Sequence, residues 1–177
     1  MSWYRKITII FSILGIAACR SENKTPDIKN YYFNIRSFFN SEAQRLQKSN
    51  TSIQKKVYDG KSTEQKQVHI DSWATELELF TESDINRASW KNSYMVKNHG
   101  DTTLYLAARP DLRTKQIVIV RNGSRKVRYI GIKNKTENFL YTSSEELSYY
   151  PDSLYRIDKH QKVKILGAHH YLIEGNF

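Results

Sequence analysis

The chain has 177 residues and a formal net charge of +10, with 28 basic and 18 acidic residues. This length fits one domain that buries a core of its own. A single cysteine excludes an intrachain disulfide framework, so packing must stabilise the fold. The sequence has no internal repeat and no low-complexity tract, which excludes repeat and fibrous architectures.

The first residues have the order of a secretory signal peptide. Arg5 and Lys6 are followed by an apolar run over residues 7–16 and then by Ala17, Ala18 and Cys19. A positive segment, an apolar segment and small residues at the end are typical of a cleaved signal. The uncharged run over residues 7–18 extends only about 18 Å as a helix, whereas a bilayer core is about 30 Å thick, which disfavours a membrane-spanning helix.

The end of this segment resembles the lipobox of bacterial lipoproteins, which has an aliphatic residue, two small residues and an obligatory cysteine. Ile16, Ala17, Ala18 and Cys19 match it position by position, although leucine is commoner where Ile16 stands. The resemblance implies that residues 1–18 are removed and that Cys19 carries a thioether-linked diacylglycerol and an amide-linked acyl chain. Two or more acyl chains anchor a protein stably to a membrane.

The resemblance also implies a place in the cell envelope. Removing 18 of the 177 residues leaves 159, with 26 basic and 18 acidic residues and a net charge of +8. A basic exported protein favours anionic envelope surfaces as partners over nucleic acid. Arg20 stands where many inner-membrane lipoproteins have an aspartate, which favours the outer membrane. Lipidation of Cys19 leaves no cysteine for catalysis.

Two helices are predicted in the first half of the mature chain. Residues 19–25 are polar and predict a tether, and residues 26–177 predict one α+β domain. Thr25, Pro26 and Asp27 have the order of a helix start. The helix is expected to run to about Asn50, with apolar positions at helical spacing. These positions are Ile28, Tyr32, Ile35, Phe39 and Leu46. A second helix is predicted from Trp73, Leu77 and Phe80, ending near Thr81.

Strands with turn signals are expected elsewhere in the domain. Asp59-Gly60 predicts a two-residue hairpin turn that pairs Tyr58 with Lys61 and sets Lys55 opposite Glu64. Asn122-Gly123 predicts a second hairpin that pairs Val118 with Val127. Residues 143–146 are expected to form a loop or one helical turn. Eight strands are predicted after residue 93, at 94–97, 102–108, 115–121, 124–133, 138–142, 154–158, 162–166 and 171–174.

The predicted fold class is therefore α+β. An N-terminal amphipathic helix and a second helix are expected to pack on a curled, mainly antiparallel sheet. In composition and element order the chain also resembles small envelope lipoproteins of Bacteroidota, a likeness that implies no activity.

Catalytic chemistry is sparse in this sequence. The chain has no G-x-S-x-G motif and no glycine-rich phosphate loop, so no catalytic residue is assigned and an enzyme is not expected. His160, His169 and His170 raise the question of a metal, which would also need a carboxylate such as Asp158 or Glu174. Neighbouring histidines on a strand point to opposite faces, so no metal site and no cofactor are predicted. A hydrolase or metal enzyme would require several of these side chains to converge in a cleft.

Basic residues alternate with apolar ones on two predicted strands. Lys126 and Arg128 lie on one of them, and Lys162 and Lys164 lie on another. If both strands exposed the same face, these four residues would form a patch for anionic lipid headgroups. The alternative is an ordinary solvated sheet face.

Two functions agree with these features. The first is a lipid-anchored, non-catalytic envelope lipoprotein that binds a protein partner or the membrane surface through its sheet. The second is a carrier of an apolar ligand, which would need a dry pocket lined by residues such as Phe39, Leu106 and Ile119.

Overall fold

The structure, a computed structural model, describes residues 30–177. Nine antiparallel strands form one sheet. They are β1 (Ile53–Tyr58), β2 (Thr63–Val68), β3 (Tyr94–His99), β4 (Thr102–Ala107), β5 (Thr114–Arg121), β6 (Val127–Glu137), β7 (Tyr141–Tyr150), β8 (Leu154–Val163) and β9 (Gly167–Asn176). The helices are α1 (Ile35–Ser49), α2 (Trp73–Glu76), α3 (Glu78–Thr81) and a 3-10 turn at Ala88–Trp90.

The strand order across the sheet is β2-β1-β9-β8-β7-β6-β5-β4-β3. Strands β3 to β9 follow one another as a meander, in which each strand pairs with the next. Strand β9 then pairs with β1 on its other side, for example Ile173 with Val57. The hairpin formed by β1 and β2 therefore joins the sheet only through β9.

The predicted α+β class is wrong, because the fold is mostly β: strands take 49% and helices 18% of residues 30–177. The predicted second helix is two four-residue helices that meet at Leu77. The predicted loop at residues 143–146 is part of the ten-residue strand β7. This segment contains no apolar residue that would signal a strand, and its buried Glu145 is neutralised by basic side chains.

Helix α1 also begins later than predicted. The predicted start at residues 25–29 lies outside the described residues, and residues 30–34 are not helical. Asn34 caps the helix by accepting a hydrogen bond from the Ser37 amide at 2.8 Å. The preceding backbone is held by tertiary contacts, since the amide of Tyr32 donates to Asn86 at 3.0 Å. These contacts replace the helical turn that the apolar spacing predicted.

Both predicted two-residue turns are longer loops. Tyr58 pairs with Thr63 rather than Lys61, and Lys55 therefore faces Lys66 rather than Glu64. Asp59 stabilises the longer loop by accepting from the amides of residues 61 and 62 at 2.9 and 2.8 Å. Such side-chain acceptors compete with the tight turn.

The loop at residues 122–126 is also longer than predicted, because a side chain accepts hydrogen bonds from its backbone amides. The Asn122 side chain accepts from the amides of Ser124 and Lys126 at 3.1 and 3.0 Å. Val118 therefore faces Gly131 instead of Val127. The error in the first hairpin is two residues, so the side chains of β1 and β2 keep their predicted faces. In the second hairpin, an irregularity between Val120 and Arg121 pairs Val127 with Arg121 and places it on the opposite face from the predicted one.

One face of the sheet, here called the covered face, packs against the helices. Phe39 of α1 is fully buried, and its ring lies 4.6 Å from that of Phe80 and 5.1 Å from that of Tyr149. The opposite, open face carries Val118 and Val120, which are only half-buried. Other fully buried residues of the core are Ile35, Leu77, Ile85, Ile117, Ile119, Ile130 and Tyr155. Among residues 30–177, no helix is long and apolar enough to cross a membrane.

Candidate functional site

Four large apolar side chains are exposed together at one end of the sheet. Phe139 and Leu140 are 81% and 61% exposed in the loop between β6 and β7. Ile165 and Leu166 are 90% and 73% exposed in the loop between β8 and β9. The amide of Lys164 donates to the Leu140 carbonyl at 3.0 Å, so the two loops are in contact. We call these four residues the apolar tip.

Tight turns force these side chains outward. Asn138 accepts hydrogen bonds from the amides of Leu140 and Tyr141, both at 2.9 Å. Gly167 ends the other loop with a φ of 86°, a left-handed conformation that glycine adopts most easily. Loops this short leave residues 139, 140, 165 and 166 outside the core.

The four predicted basic residues do not form one patch. Lys162 and Lys164 lie beside the apolar tip, and the Lys164 ammonium is 4.0 Å from the centre of the Phe139 ring. Lys126 and Arg128 lie at the opposite end of β6. A strand of this length separates the two pairs by roughly 30 Å. All four side chains are exposed, but only the first pair lies beside the apolar tip.

Three potential metal ligands meet on the open face. The Oδ1 atom of Asp158 lies 3.2 Å from Nε2 of His160 and 2.9 Å from Nε2 of His170. The two imidazole rings are stacked, with centres 4.0 Å apart and an angle of 12° between planes. We call these three residues the histidine cluster.

Strand pairing explains this convergence. His160 of β8 pairs directly with His170 of β9, and Asp158 precedes His160 by two positions on the same face. His169 points to the other face, as predicted, and Glu174 lies four positions beyond His170. All three members were named from the sequence as potential ligands, but the pairing of His160 with His170 was not predicted, and no metal site was expected. The signal was the hairpin itself, since His160 and His170 are equally distant from Ile165.

The carboxylate of the histidine cluster is held in its charged form. Burial by itself raises the pKa of Asp158, but hydrogen bonds from Arg156 and His170 outweigh burial and lower the pKa. The Arg156 guanidinium donates to Oδ2 at 3.1 Å and leaves Oδ1 facing the histidines. The ring of Tyr58 lies edge-on to His170, with centres 5.3 Å apart. His160 and His170 line a groove of about 420 Å³ together with Lys61 and Lys162.

A second, polar cavity lies on the covered face. Its volume is about 720 Å³, and Glu145 is one of the residues that line it. Glu145 is 2.7 Å from the Arg113 guanidinium and 3.2 Å from the Lys159 ammonium. The buried hydroxyl of Ser143, also in the cavity wall, has no hydrogen-bond partner within residues 30–177. This lining suits water or a small polar molecule rather than an apolar ligand.

The residues proposed to line an apolar pocket do not lie together. Phe39 and Ile119 are fully buried in the packed core. Leu106 lies on the open face, where its neighbours in the ladder are Met95 and Gln116. The carrier hypothesis is therefore not supported by these three positions.

Cys19, the predicted lipidation site, lies outside the described residues. Comparison of the chain with protein families, with curated proteins and with solved structures finds no match. Its function is therefore inferred from the chemistry of its own residues.

Proposed function

We propose that this protein is a lipid-anchored, non-catalytic component of the bacterial cell envelope that docks its apolar tip on an anionic membrane surface. The observation that carries this proposal is the exposure of four large apolar side chains on two contacting loops, beside two lysines. Contiguous exposed apolar residues mark interaction sites, whereas single ones are ordinary.

The composition of the tip favours a lipid surface as its partner. Phe139, Leu140, Ile165 and Leu166 extend from the end of the sheet, where they can enter the interface without disturbing any strand. Lys162 and Lys164 lie at the border of these side chains. A lysine near an anionic membrane contributes about 1 kcal/mol of attraction, and buried apolar side chains add to it.

Lipidation of Cys19 supplies the second membrane contact in this proposal. In this proposal the polar residues 19–25 form the tether predicted from the sequence, and the anchor and the apolar tip contact the same bilayer. The absence of an aspartate after Cys19 favours the outer membrane.

Replacing Cys19 by alanine tests the anchor. We expect the processed wild-type chain to begin at Cys19 and to carry the mass of its acyl chains, and we expect cell fractionation to recover it with outer membranes. The Cys19→Ala chain is expected to lose both the lipid and the processing, because the modified thiol is absent. Ser21→Ala serves as the control. A Cys19→Ala chain that is processed and retained as the wild type is would contradict the lipoprotein assignment.

Vesicle binding tests the tip independently of the anchor. We expect unlipidated residues 20–177 to bind vesicles of phosphatidylethanolamine and phosphatidylglycerol. The double substitution Phe139→Ser/Ile165→Ser is expected to weaken partitioning at least about tenfold, because two apolar side chains no longer enter the interface. Lys162→Gln/Lys164→Gln is expected to weaken it by about tenfold or more. Cosedimentation measures the bound fraction.

The opposite end of the sheet provides a matched control. Lys126→Gln/Arg128→Gln removes the same charge roughly 30 Å away and is expected to change partitioning by less than about twofold. If both charge pairs weakened binding equally, attraction would depend on net charge alone and tip docking would be wrong. If the wild-type chain did not bind vesicles, docking of the tip on a membrane would be wrong, and a protein partner for the tip would be favoured instead.

A further inference from the structure

We propose that Asp158, His160 and His170 bind a divalent transition-metal ion of the Zn²⁺ class on the open face of the sheet. This site is separate from the apolar tip and does not depend on membrane docking. It is carried by the mutual geometry of the three side chains and by the strands that hold them.

The spacing of the donor atoms suits such an ion. Zinc binds imidazole nitrogen and carboxylate oxygen at about 2.0–2.2 Å, so two donors in a tetrahedral site lie about 3.3–3.6 Å apart. The Oδ1 atom of Asp158 is 3.2 Å from one Nε2 and 2.9 Å from the other. All three donors lie within 4.8 Å of one another. Each imidazole lone pair lies in the plane of its ring, so binding requires the stacked rings of His160 and His170 to rotate until both planes meet at the ion.

The donor types select the class of metal. Two imidazoles and one carboxylate suit Zn²⁺ and the neighbouring divalent transition ions, whereas Ca²⁺ and Mg²⁺ prefer oxygen donors alone. His160 and His170 are stacked on adjacent strands, and both direct Nε2 toward the same carboxylate oxygen. This shared direction distinguishes the cluster from histidines that are merely close in sequence.

Neighbouring residues already fix the ligands. Arg156 occupies the other carboxylate oxygen of Asp158 at 3.1 Å, which orients Oδ1 toward the histidines. Tyr58 packs edge-on against the ring of His170. Outer contacts of this kind orient metal ligands and support affinity.

The site would keep one coordination position open. Three protein ligands leave the fourth position of a tetrahedral ion to water or to an external ligand. His160 and His170 also line the groove that contains Lys61 and Lys162. The two ammonium groups favour an anionic external ligand such as a carboxylate or a phosphate.

Titration with Zn²⁺ alone tests the inference. The mature chain, residues 19–177 with Cys19→Ser to remove the thiol, is stripped with a chelator and titrated calorimetrically. We expect one saturable site per chain. His160→Ala, His170→Ala and Asp158→Asn are each expected to lower the affinity at least about tenfold, since each removes a ligand. His169→Ala, on the opposite face of β9, is the matched control and is expected to bind as the parent does.

A second measurement uses the parent chain without any ligand substitution. Imidazole NMR resonances of His160 and His170 are expected to shift together at one equivalent of Zn²⁺, while those of His69 and His99 stay in place. Absence of saturable binding would overturn the proposal and leave the cluster as a set of hydrogen-bonded polar side chains. Binding that survives the His160 and His170 substitutions, or that shifts other histidines instead, would also overturn it.

Discussion

Replacing Gly175 by alanine is expected to destabilise the protein by about 2–4 kcal/mol. Gly175 lies in β9 opposite Tyr155 of β8, and a Cβ atom at this position would overlap the Tyr155 ring. That ring has no room to move. It is fully buried, its hydroxyl donates to Glu76 at 2.5 Å, and Phe177 lies 6.0 Å away, centre to centre.

Urea unfolding of the mature chain, followed by tryptophan fluorescence, measures the loss. Gly123→Ala is the control and is expected to change stability by less than about 0.5 kcal/mol, because nothing lies within 4 Å of its added Cβ. Gly131→Ala is expected to fall between the two, since the overlapping group is the half-buried Tyr129. Equal stability of the Gly175 and Gly123 variants would show that the packing over Gly175 is not tight.

Replacing Glu145 by glutamine is expected to cost about 2–3 kcal/mol at neutral pH, whereas Glu146→Gln is expected to cost less than about 1 kcal/mol. The two residues are adjacent in β7 but point to opposite faces. The Glu145 side chain is 8% exposed and contacts Arg113 and Lys159. The Glu146 side chain is 63% exposed and pairs with Lys133 in solvent. Only the first substitution leaves partly buried cations without their counter-charge.

The cost of Glu145→Gln is also expected to depend on pH. Burial raises the pKa of Glu145, but the charges of Arg113 and Lys159 outweigh it and hold the pKa below the ordinary value of 4.5. The carboxylate therefore stabilises the folded state above the unfolded pKa, and this stabilisation is lost as the pH falls through the folded pKa. Unfolding free energies of wild type and variant should differ fully at about pH 7 and converge only as the pH falls through the lowered pKa of the folded state. A difference that is constant with pH would contradict the ionic explanation.

The sequence predicted most strands and their faces, because alternation of apolar and polar residues is a local signal. It did not predict the course of β7, because Ser143 and Glu145 point into the protein without being apolar. The buried Glu145 is compensated by Arg113 and Lys159, which are distant in sequence. The spacing of Trp73, Leu77 and Phe80 correctly predicted helical structure, but the helix is interrupted at Leu77. These two differences account for most of the error in fold class.

The candidate sites depended on strand register rather than on composition. Phe139, Leu140, Ile165 and Leu166 were assigned to predicted strands because they are apolar, and the structure places them in loops. The tight turns at Asn138 and Gly167 end the strands and place these residues in the loops. The histidine cluster required β8 to continue through residue 160, whereas the polar residues 159–161 were predicted to separate two strands. Lysine positions alone did not reveal which pair adjoins an apolar surface.

The position of β9 between β1 and β8 affects the order in which the molecule can be completed. Gln54 pairs with Asn176, two residues that are far apart along the chain. The β1–β2 hairpin can therefore gain its neighbour in the sheet only after the residues of β9 have been synthesised. Pairings between such distant segments form slowly. Truncation before residue 167 is therefore expected to leave the β1–β2 hairpin without a partner strand, although the meander from β3 to β8 keeps its own pairings.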